Sequence, residues 1–240
     1  MRPESHTAGA GHAVGSPAVL SLRDVEVRAE GRPLLSGVNL ELASRRIAIV
    51  GANGSGKSTF ARLLNGTRLA DAGTVRVLGL DPAQDSRTLR GKVGFLFTDP
   101  AAQVLMPTPA EDIALSLRDL PRPQRAERTA QLLDEFGLAA HADAPVTTLS
   151  GGQRQLLAIA AVLATNPDLV VADEPTTLLD LGNARRIADL LLGLDAQVVI
   201  VTHDLELAAR CDEAVLFDSG RVVTTDDAGQ VVDRYRRMHA

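Results

Sequence analysis

An eight-residue segment, Gly-Ala-Asn-Gly-Ser-Gly-Lys-Ser at residues 51–58, constrains the fold of this chain more than any other. The four residues before it, 47–50, are all apolar, which is typical of a strand buried on both faces. After it, apolar residues recur at helical spacing between Phe60 and Leu64. A strand, a glycine-rich loop and a helix start together form the phosphate-binding arrangement called a P-loop. The segment therefore predicts an α/β core with a phosphate site.

The P-loop residues have distinct expected roles toward ATP and Mg²⁺. Glycines let backbone N–H groups approach the phosphates, and the helix N-terminus adds a favourable dipole. Lys57 is expected to reach the β- and γ-phosphates, and the Ser58 hydroxyl is expected to ligate Mg²⁺. The nucleotide-binding residues predicted here are Gly51, Asn53, Gly54, Ser55, Gly56, Lys57, Ser58 and Thr59.

Bulk composition excludes several classes of protein. The chain has 240 residues, 45% hydrophobic and 23% charged, which suits one large globular α/β domain. Its net charge of −5 argues against a nucleic-acid-binding surface over the whole domain and leaves only a local basic patch. A single cysteine, Cys211, excludes an intramolecular disulfide and a thiolate metal site, and indicates a buried thiol and a cytoplasmic compartment. No apolar run approaches the ~20 residues that span a bilayer, and the N-terminus lacks a signal-peptide core.

The predicted layout is one domain between two terminal segments. Residues 1–17 are rich in Gly, Ala, Ser and His and are predicted to form a disordered arm, in which His6 and His12 have no expected function. Residues 18–229 form the domain: an N-terminal antiparallel hairpin precedes the P-loop strand, and a helical subdomain at about 101–163 is inserted between core strands. Residues 230–240 are predicted to be a C-terminal tail with solvated arginines, a docking role for them being the alternative.

Two carboxylates follow the apolar strand predicted at residues 169–172. Parallel α/β sheets bind ligands at the carboxyl ends of their strands. Asp173 is therefore expected to hold Mg²⁺ through water, and Glu174 to act as general base on the water that attacks the γ-phosphate. The alternative is a solvated acidic turn that caps the next helix. Two carboxylates after a buried strand are costly unless a cation shares their site.

His203 follows another apolar strand, predicted at residues 198–201. A lone histidine is usually structural, but this position at a strand end predicts a functional one. Its imidazole is expected to hydrogen-bond the γ-phosphate and to hold Glu174 and the water in place. His141 and His239 have no such context and are predicted to be structural.

A second anion cradle is predicted at Leu-Ser-Gly-Gly-Gln, residues 149–153. Ser150 with Gln153 three residues later forms a capping box, so a helix should begin here with a serine and two glycines at its N-terminus. One chain cannot easily place two such cradles on one nucleotide. The pattern therefore predicts a head-to-tail dimer, in which each P-loop faces Ser150, Gly151, Gly152 and Gln153 of the other chain, closed by ATP and opened by hydrolysis.

Taken together, these segments resemble the ATP-binding subunit of ABC transporters over nearly the whole chain, residues 19–223. Five motifs occur in the family's order: Walker A (51–58), the signature (149–153), Walker B with the base (169–174), the D-loop (177–180) and the switch histidine (203). The resemblance implies a P-loop NTPase with a RecA-like core, an antiparallel β edge subdomain and an inserted helical subdomain. It adds Asp180 to the nucleotide-binding residues. It also implies a second ATPase subunit, identical or different, and integral-membrane transport subunits as partners, with the chain peripheral on the cytoplasmic face of the cell membrane.

Two positions depart from the family pattern. The glutamine expected after the strand that ends near Phe97 is replaced by Thr98, whose hydroxyl can still ligate Mg²⁺ but reaches less far; Gln103 is a possible substitute, although it fits the coupling helix better. The aromatic residue expected to stack on adenine before Gly31 is missing. Residues 27–29 offer only apolar or arginine contacts, at a cost of about 1 kcal/mol of stacking.

The segment 98–114 is similar to the corresponding part of energy-coupling-factor importers, which take up vitamins and transition metals. It keeps roughly their Asn-Pro-x-x-Gln, Pro-Thr and Glu-Asp-hydrophobic-Ala pattern. Biotin is the favoured substrate, and cobalt or nickel comes next. One alternative is an ABC ATPase outside transport, but the chain lacks the second ATPase domain of ribosome-associated members and the coiled coils of DNA-repair members. The other alternative, a detached exporter domain, is disfavoured by the importer-like segment.

Overall fold

The structure is a computed structural model that describes residues 20–238. The predictions for the arm at 1–17, for His6 and His12, and for His239 lie outside this range. The strands are β1 (Leu20–Ala29), β2 (Arg32–Leu42), β3 (Arg46–Val50), β4 (Ala72–Val77), β5 (Val93–Leu96), β6 (Leu169–Asp173), β7 (Gln197–Val201), β8 (Glu213–Asp218) and β9 (Arg221–Asp227). The helices are α1 (Lys57–Leu64), α2 (Ser86–Lys92), α3 (Pro109–Ser116), α4 (Arg122–Glu135), α5 (Gly151–Leu163), α6 (Leu181–Gly193), α7 (Leu205–Ala208) and α8 (Ala228–Met238).

A six-stranded sheet in the order β5-β6-β7-β3-β8-β9 forms the centre of the molecule. All its neighbouring strands are parallel except β8 and β9, which form an antiparallel hairpin. Every residue of β6 and β7 is buried, as are the last four of β3, because both faces of these strands are covered. The apolar runs in the sequence are therefore the central strands, and the predicted α/β core is confirmed.

The two faces of this sheet belong to different hydrophobic clusters. One face, with Ala48 and Ile200, packs against α5, α6 and α8. The other face, with Ile47 and Val199, packs with α1 and a separate three-stranded antiparallel sheet in the order β2-β1-β4. Alternation along each strand thus divides side chains between two layers. The predicted antiparallel edge is confirmed by the register of β1 on β2.

Between β5 and β6 the chain forms a helical segment that contains α3, α4 and α5. Thr108 caps α3 by accepting a hydrogen bond from the Glu111 N–H (3.3 Å), and Pro109 takes the first helical position, where its missing N–H has no cost. All three helices lie within the range of about 101–163 that the sequence predicts to be helical. Helix α2 was not predicted, because Leu89 is its only buried residue and one apolar position makes no periodic pattern.

The C-terminal segment differs from the sequence prediction. Residues 230–238 continue α8, a helix that begins at Ala228, and do not form a tail. Ala228, Val231 and Val232 are buried and join the cluster on the central sheet, while the arginines lie on the exposed face. These three residues form a short apolar face at spacing i, i+3 and i+4, and packing of that face against the central sheet stabilises the helix.

Candidate active site

Strand register brings three polar segments to one edge of the central sheet. Ile49 of β3 pairs with Val201 of β7, which in turn pairs with Asp173 of β6. The bonding continues one step past the strands: Glu174 N–H donates to Val201 O (2.9 Å), and Thr202 N–H donates to Ile49 O (3.1 Å). The P-loop, the two carboxylates and the segment with His203 therefore begin at the same level of the sheet.

The P-loop itself depends on glycines that no other residue can replace without displacement. A Cβ on Gly51, whose φ is 147°, would lie 2.2 Å from the Phe217 carbonyl oxygen. A Cβ on Gly56, whose φ is 105° at the start of α1, would lie 2.7 Å from Leu35 Cδ2. The loop is thus held against its neighbours by close backbone contacts.

Lys57 is buried inside the curl of this loop. Its Nζ donates to the carbonyl oxygens of Gly51 (2.8 Å) and Ala52 (3.0 Å). Burial lowers the pKa of the ammonium, although Glu174 and Asp173 oppose the shift. A desolvated cation whose hydrogen-bond partners are neutral carbonyls gains from an anionic ligand, so phosphate oxygens suit this position.

Ser58 and Asp173 provide hard oxygen atoms from two different elements. Ser58 Oγ donates to Asp173 Oδ1 (3.1 Å), and Asp173 is only 5% exposed. Burial raises the pKa of this carboxyl group above its ordinary value, and the charge of Glu174 adds to the shift, although the Ser58 hydrogen bond opposes it. A hydroxyl and a buried carboxylate with unbalanced negative charge fit Mg²⁺, which prefers oxygen ligands.

Glu174 is held by two donors on one carboxylate oxygen. Oε2 accepts from Thr177 Oγ1 (3.0 Å) and from His203 Nδ1 (2.8 Å). The residue has a φ of 54°, a left-handed conformation that costs a non-glycine residue about 1–3 kcal/mol and often marks functional sites. The predicted pairing of His203 with Glu174 is thus present, and Thr177 adds a contact that the sequence analysis had not assigned.

A groove of about 480 Å³ extends from these residues along the P-loop. The predicted site residues on its wall are Asn53, Gly54, Gly56, Lys57, Ser58, Thr59 and Glu174. The far wall consists of Pro33 and Leu34 of β2 and the turn at Ser219 and Gly220.

That far wall was missed by sequence reasoning. Gly220 joins it to the P-loop, because its N–H donates to Ser55 O (3.0 Å) while its carbonyl accepts from Ser36 N–H (2.9 Å). The turns were visible in the sequence, but nothing in their spacing shows that they meet. Val27, by contrast, is fully buried in the core, and residues 27–29 do not line the groove.

The remaining predicted residues lie away from this groove. Ser150 and Gln153 form the predicted capping box at the start of α5. Asp180 caps α6, and hydrogen bonds from Asn183 lower the pKa of its carboxyl group. Gly151 lines a different pocket, of about 110 Å³, together with Thr98. One chain therefore does not bring its signature segment to its own P-loop, which is the condition that the head-to-tail dimer prediction requires.

Thr98 and Gln103 occupy the loop after β5. The Phe97 N–H donates to Gln103 Oε1 (3.1 Å), so the glutamine side chain lies against the end of the strand. Thr98 does not line the groove that contains Ser58, and its assignment as a magnesium ligand stays a prediction. Within residues 20–238, no helix is both long and apolar enough to cross a membrane.

Comparison with known proteins identifies relatives over most of the chain. A family described as ABC transporter matches residues 35–177. An ABC transporter ATP-binding protein of Deinococcus radiodurans, whose name gives no substrate, is 42% identical and aligns over 91% of this chain and 97% of its own. The biotin transport ATP-binding protein BioM of Rhizobium etli is 39% identical over 87% of this chain and 94% of its own. The energy-coupling factor transporter ATP-binding protein EcfA1 of Lacticaseibacillus paracasei is 38% identical over 78% and 70%.

Two solved structures of ABC proteins also resemble this chain over most of its length. CbiO1 from Clostridium perfringens, part of the ABC transporter complex CbiONQ, superposes with a TM-score of 0.81 and 27% identity, covering 93% of this chain and 94% of its own. The ATP-binding cassette MJ0796, solved as a dimer in a post-hydrolysis state with ADP and phosphate, superposes with a TM-score of 0.76 and 28% identity, covering 87% and 98%.

Proposed function

This chain belongs to the ATP-binding proteins of ABC transporters, and from that premise we propose that it powers an energy-coupling-factor-type importer. The proposed cargo is a vitamin or a transition metal, with biotin first and cobalt or nickel next. Family membership makes the chain an ATP hydrolase that uses Mg²⁺. One observation supports the proposed catalytic role: Lys57, Ser58, Asp173 and Glu174 lie together at one edge of the sheet.

Each of these side chains has a proposed role in hydrolysis. Lys57 exchanges its carbonyl partners for β- and γ-phosphate oxygens, and Ser58 and Asp173 hold Mg²⁺, which supplies charge neutralisation on the phosphates when bound. Glu174 accepts a proton from the water that attacks the γ-phosphorus. The bond from that phosphorus to the bridging oxygen breaks, and ADP and phosphate leave. His203 keeps the carboxylate of Glu174 directed at the water.

The signature segment and Asp180 are proposed to act on the nucleotide of a second ATPase subunit. Ser150 is exposed, and its Oγ caps α5 by accepting from the Gln153 N–H (3.2 Å). The signature segment does not line the chain's own nucleotide groove, so its anion cradle is free to face another subunit. ABC cassettes dimerise, as the MJ0796 structure illustrates. The Glu174→Gln variant should bind ATP without hydrolysing it and accumulate as an ATP-bound dimer in size-exclusion chromatography. Full turnover in that variant would remove Glu174 as the base.

Coupling to membrane subunits is proposed for the surface around residues 98–114. Two large apolar side chains are exposed there, Phe97 (39%) and Leu105 (74%), although exposure of such residues to water is unfavourable. The same segment carries the importer-like sequence pattern. We place the chain at the cytoplasmic face of the membrane as a peripheral subunit, because ATPase subunits of importers are membrane-associated.

Purification from native membranes tests the importer assignment. The chain, tagged at its C-terminus, should be recovered with integral-membrane subunits, and their identification by mass spectrometry gives the transporter type. The complex in vesicles should then accumulate labelled biotin in an ATP-dependent manner, with labelled Co²⁺ and Ni²⁺ as the competing cargoes. Recovery without any integral-membrane partner would overturn the importer proposal, and uptake of a metal alone would overturn the preference for biotin.

A further inference from the structure

His141 contacts the signature segment, although the sequence gives it no motif context. It lies at the end of a short 3-10 turn, Ala139–His141, between α4 and α5. Its Nε2 is 2.9 Å from Nε2 of Gln153, the third residue of α5. Gln153 also closes the capping box, since its Oε1 accepts from the Ser150 N–H (2.8 Å).

The chemistry of the amide fixes the direction of this contact. Because Oε1 of Gln153 is used by Ser150, the amide nitrogen is the atom that faces the ring. An amide NH₂ group only donates, so Nε2 of His141 must accept. The contact therefore requires a neutral imidazole with its proton on Nδ1. Without an acceptor at this position, the Ser150 N–H alone would hold the Gln153 amide in the capping box.

Besides its own helical and capping hydrogen bonds, the signature segment is supported by a neighbouring helix. A Cβ placed on Gly152 would lie 2.7 Å from the Asn183 side chain, so α6 supports this position from one side. Gly151 has more room, with Leu178 O at 3.9 Å as the nearest atom to such a Cβ. Two adjacent glycines carry high backbone entropy, and an anchor is needed to keep them in one conformation. His141 supplies that anchor on the side of the helical segment.

We propose that His141 is a positioning residue for the signature segment. It fixes the amide of Gln153, which fixes the Ser150 backbone and so pre-forms the cradle that faces the partner's nucleotide. This inference rests on the proposed function, because the cradle acts only in an ATP-bound dimer. Pre-organisation of that cradle lowers the cost of closing the dimer and has no effect on nucleotide binding to the P-loop of a single chain.

Two substitutions separate positioning from packing. His141→Leu keeps an apolar body but removes the acceptor, whereas His141→Gln returns an acceptor at the level of the imidazole Nε2. In the Glu174→Gln background, His141→Leu should raise the ATP concentration for half-maximal dimerisation about five- to tenfold, the effect of one lost hydrogen bond. His141→Gln should stay within about twofold of the parent. Asp143→Asn, at an exposed position two residues after this turn, is the matched control.

Hydrogen exchange of the ligand-free protein provides a readout that is independent of ATP. The peptide that contains the first turn of α5 should exchange about five- to tenfold faster in His141→Leu and return to the parental rate in His141→Gln. Failure of the wild-type chain to hydrolyse ATP would refute the proposed function, and this exchange pattern would still test the anchor. Equal behaviour of the Leu and Gln variants, or equal losses in single-chain nucleotide binding and thermal stability, would overturn the positioning role.

Discussion

Removal of the Thr177 hydroxyl tests the geometry around the proposed general base, Glu174, most directly. Thr177→Val keeps the shape of the side chain and deletes one of the two donors to Glu174 Oε2, leaving the His203 hydrogen bond in place. Hydrogen bonds to charged groups contribute about 1.5–3 kcal/mol. Thr177 is exposed and water can partly replace its hydroxyl, so the lower end of that range applies. About 1.4 kcal/mol in the activation free energy is a tenfold decrease in kcat.

The assay is steady-state ATP hydrolysis with kcat and KM measured separately. Thr177 does not line the nucleotide groove, so KM for ATP should change less than twofold while kcat falls about tenfold. Thr177→Ser retains the hydroxyl and should keep most of the activity. The combined Thr177→Val and His203→Ala variant should lose less than the product of the single effects, because both donors act through the same oxygen.

Three results would refute this account of Thr177. A kcat that is unchanged in Thr177→Val would show that the hydroxyl does not orient the base. An increase in KM at constant kcat would assign the hydroxyl to ground-state binding of the nucleotide. Equal losses in the Val and Ser variants would trace the effect to packing of the D-loop.

Four further outcomes follow from the structure. Gly51→Ala should abolish nucleotide binding in a filter or fluorescence assay, because the added Cβ would lie 2.2 Å from the Phe217 carbonyl oxygen. Gly91 lies inside a helix, and a Cβ added there would have no atom within 4 Å. Gly91→Ala should therefore stabilise the folded chain by about 0.5–1 kcal/mol in urea unfolding. Asp173→Asn should raise the melting temperature of the ligand-free protein by about 2–4 °C. The reason is that a carboxyl group whose folded-state pKa is raised destabilises the folded protein at neutral pH, when it is ionised. The same variant should abolish Mg²⁺-dependent hydrolysis, because it removes the proposed carboxylate at the metal site. Cys211 should react with Ellman's reagent at pH 8 only after denaturation, because burial raises the pKa of its thiol to about 12.

The sequence was sufficient to predict those parts of the site that follow directly from buried parallel strands. The apolar runs that precede the P-loop, Asp173 and His203 indicate that these features lie at the ends of buried strands. Because parallel strands place their carboxyl ends at one edge, membership of the same site follows without knowledge of the strand order. The capping box of Ser150 and Gln153 was predictable for a similar reason, since both partners lie within one helical turn.

Contacts between segments distant in the sequence were not predictable in this way. The groove wall of Pro33, Leu34 and Gly220 depends on how the separate antiparallel sheet sits against the β8–β9 hairpin, and no periodicity encodes that placement. The same applies to His141, which reaches Gln153 only through the path of the helical segment. Helix α8 was missed because its few apolar residues become decisive only when the central sheet covers them.

The ligand-free site contains two buried charged groups, Lys57 and Asp173, and both are poorly solvated. Burial lowers the pKa of Lys57 and raises that of Asp173, because desolvation destabilises the charged form of each group. Both groups lie too deep for water to solvate their charges well, and neither forms a hydrogen-bonded ion pair with the other. In the proposed site, a triphosphate would give Lys57 a directly bonded anion, and Mg²⁺ would give Asp173 a directly bonded cation. Binding of the complete metal–nucleotide pair therefore removes two desolvation costs at once, whereas either component alone removes one and leaves the other.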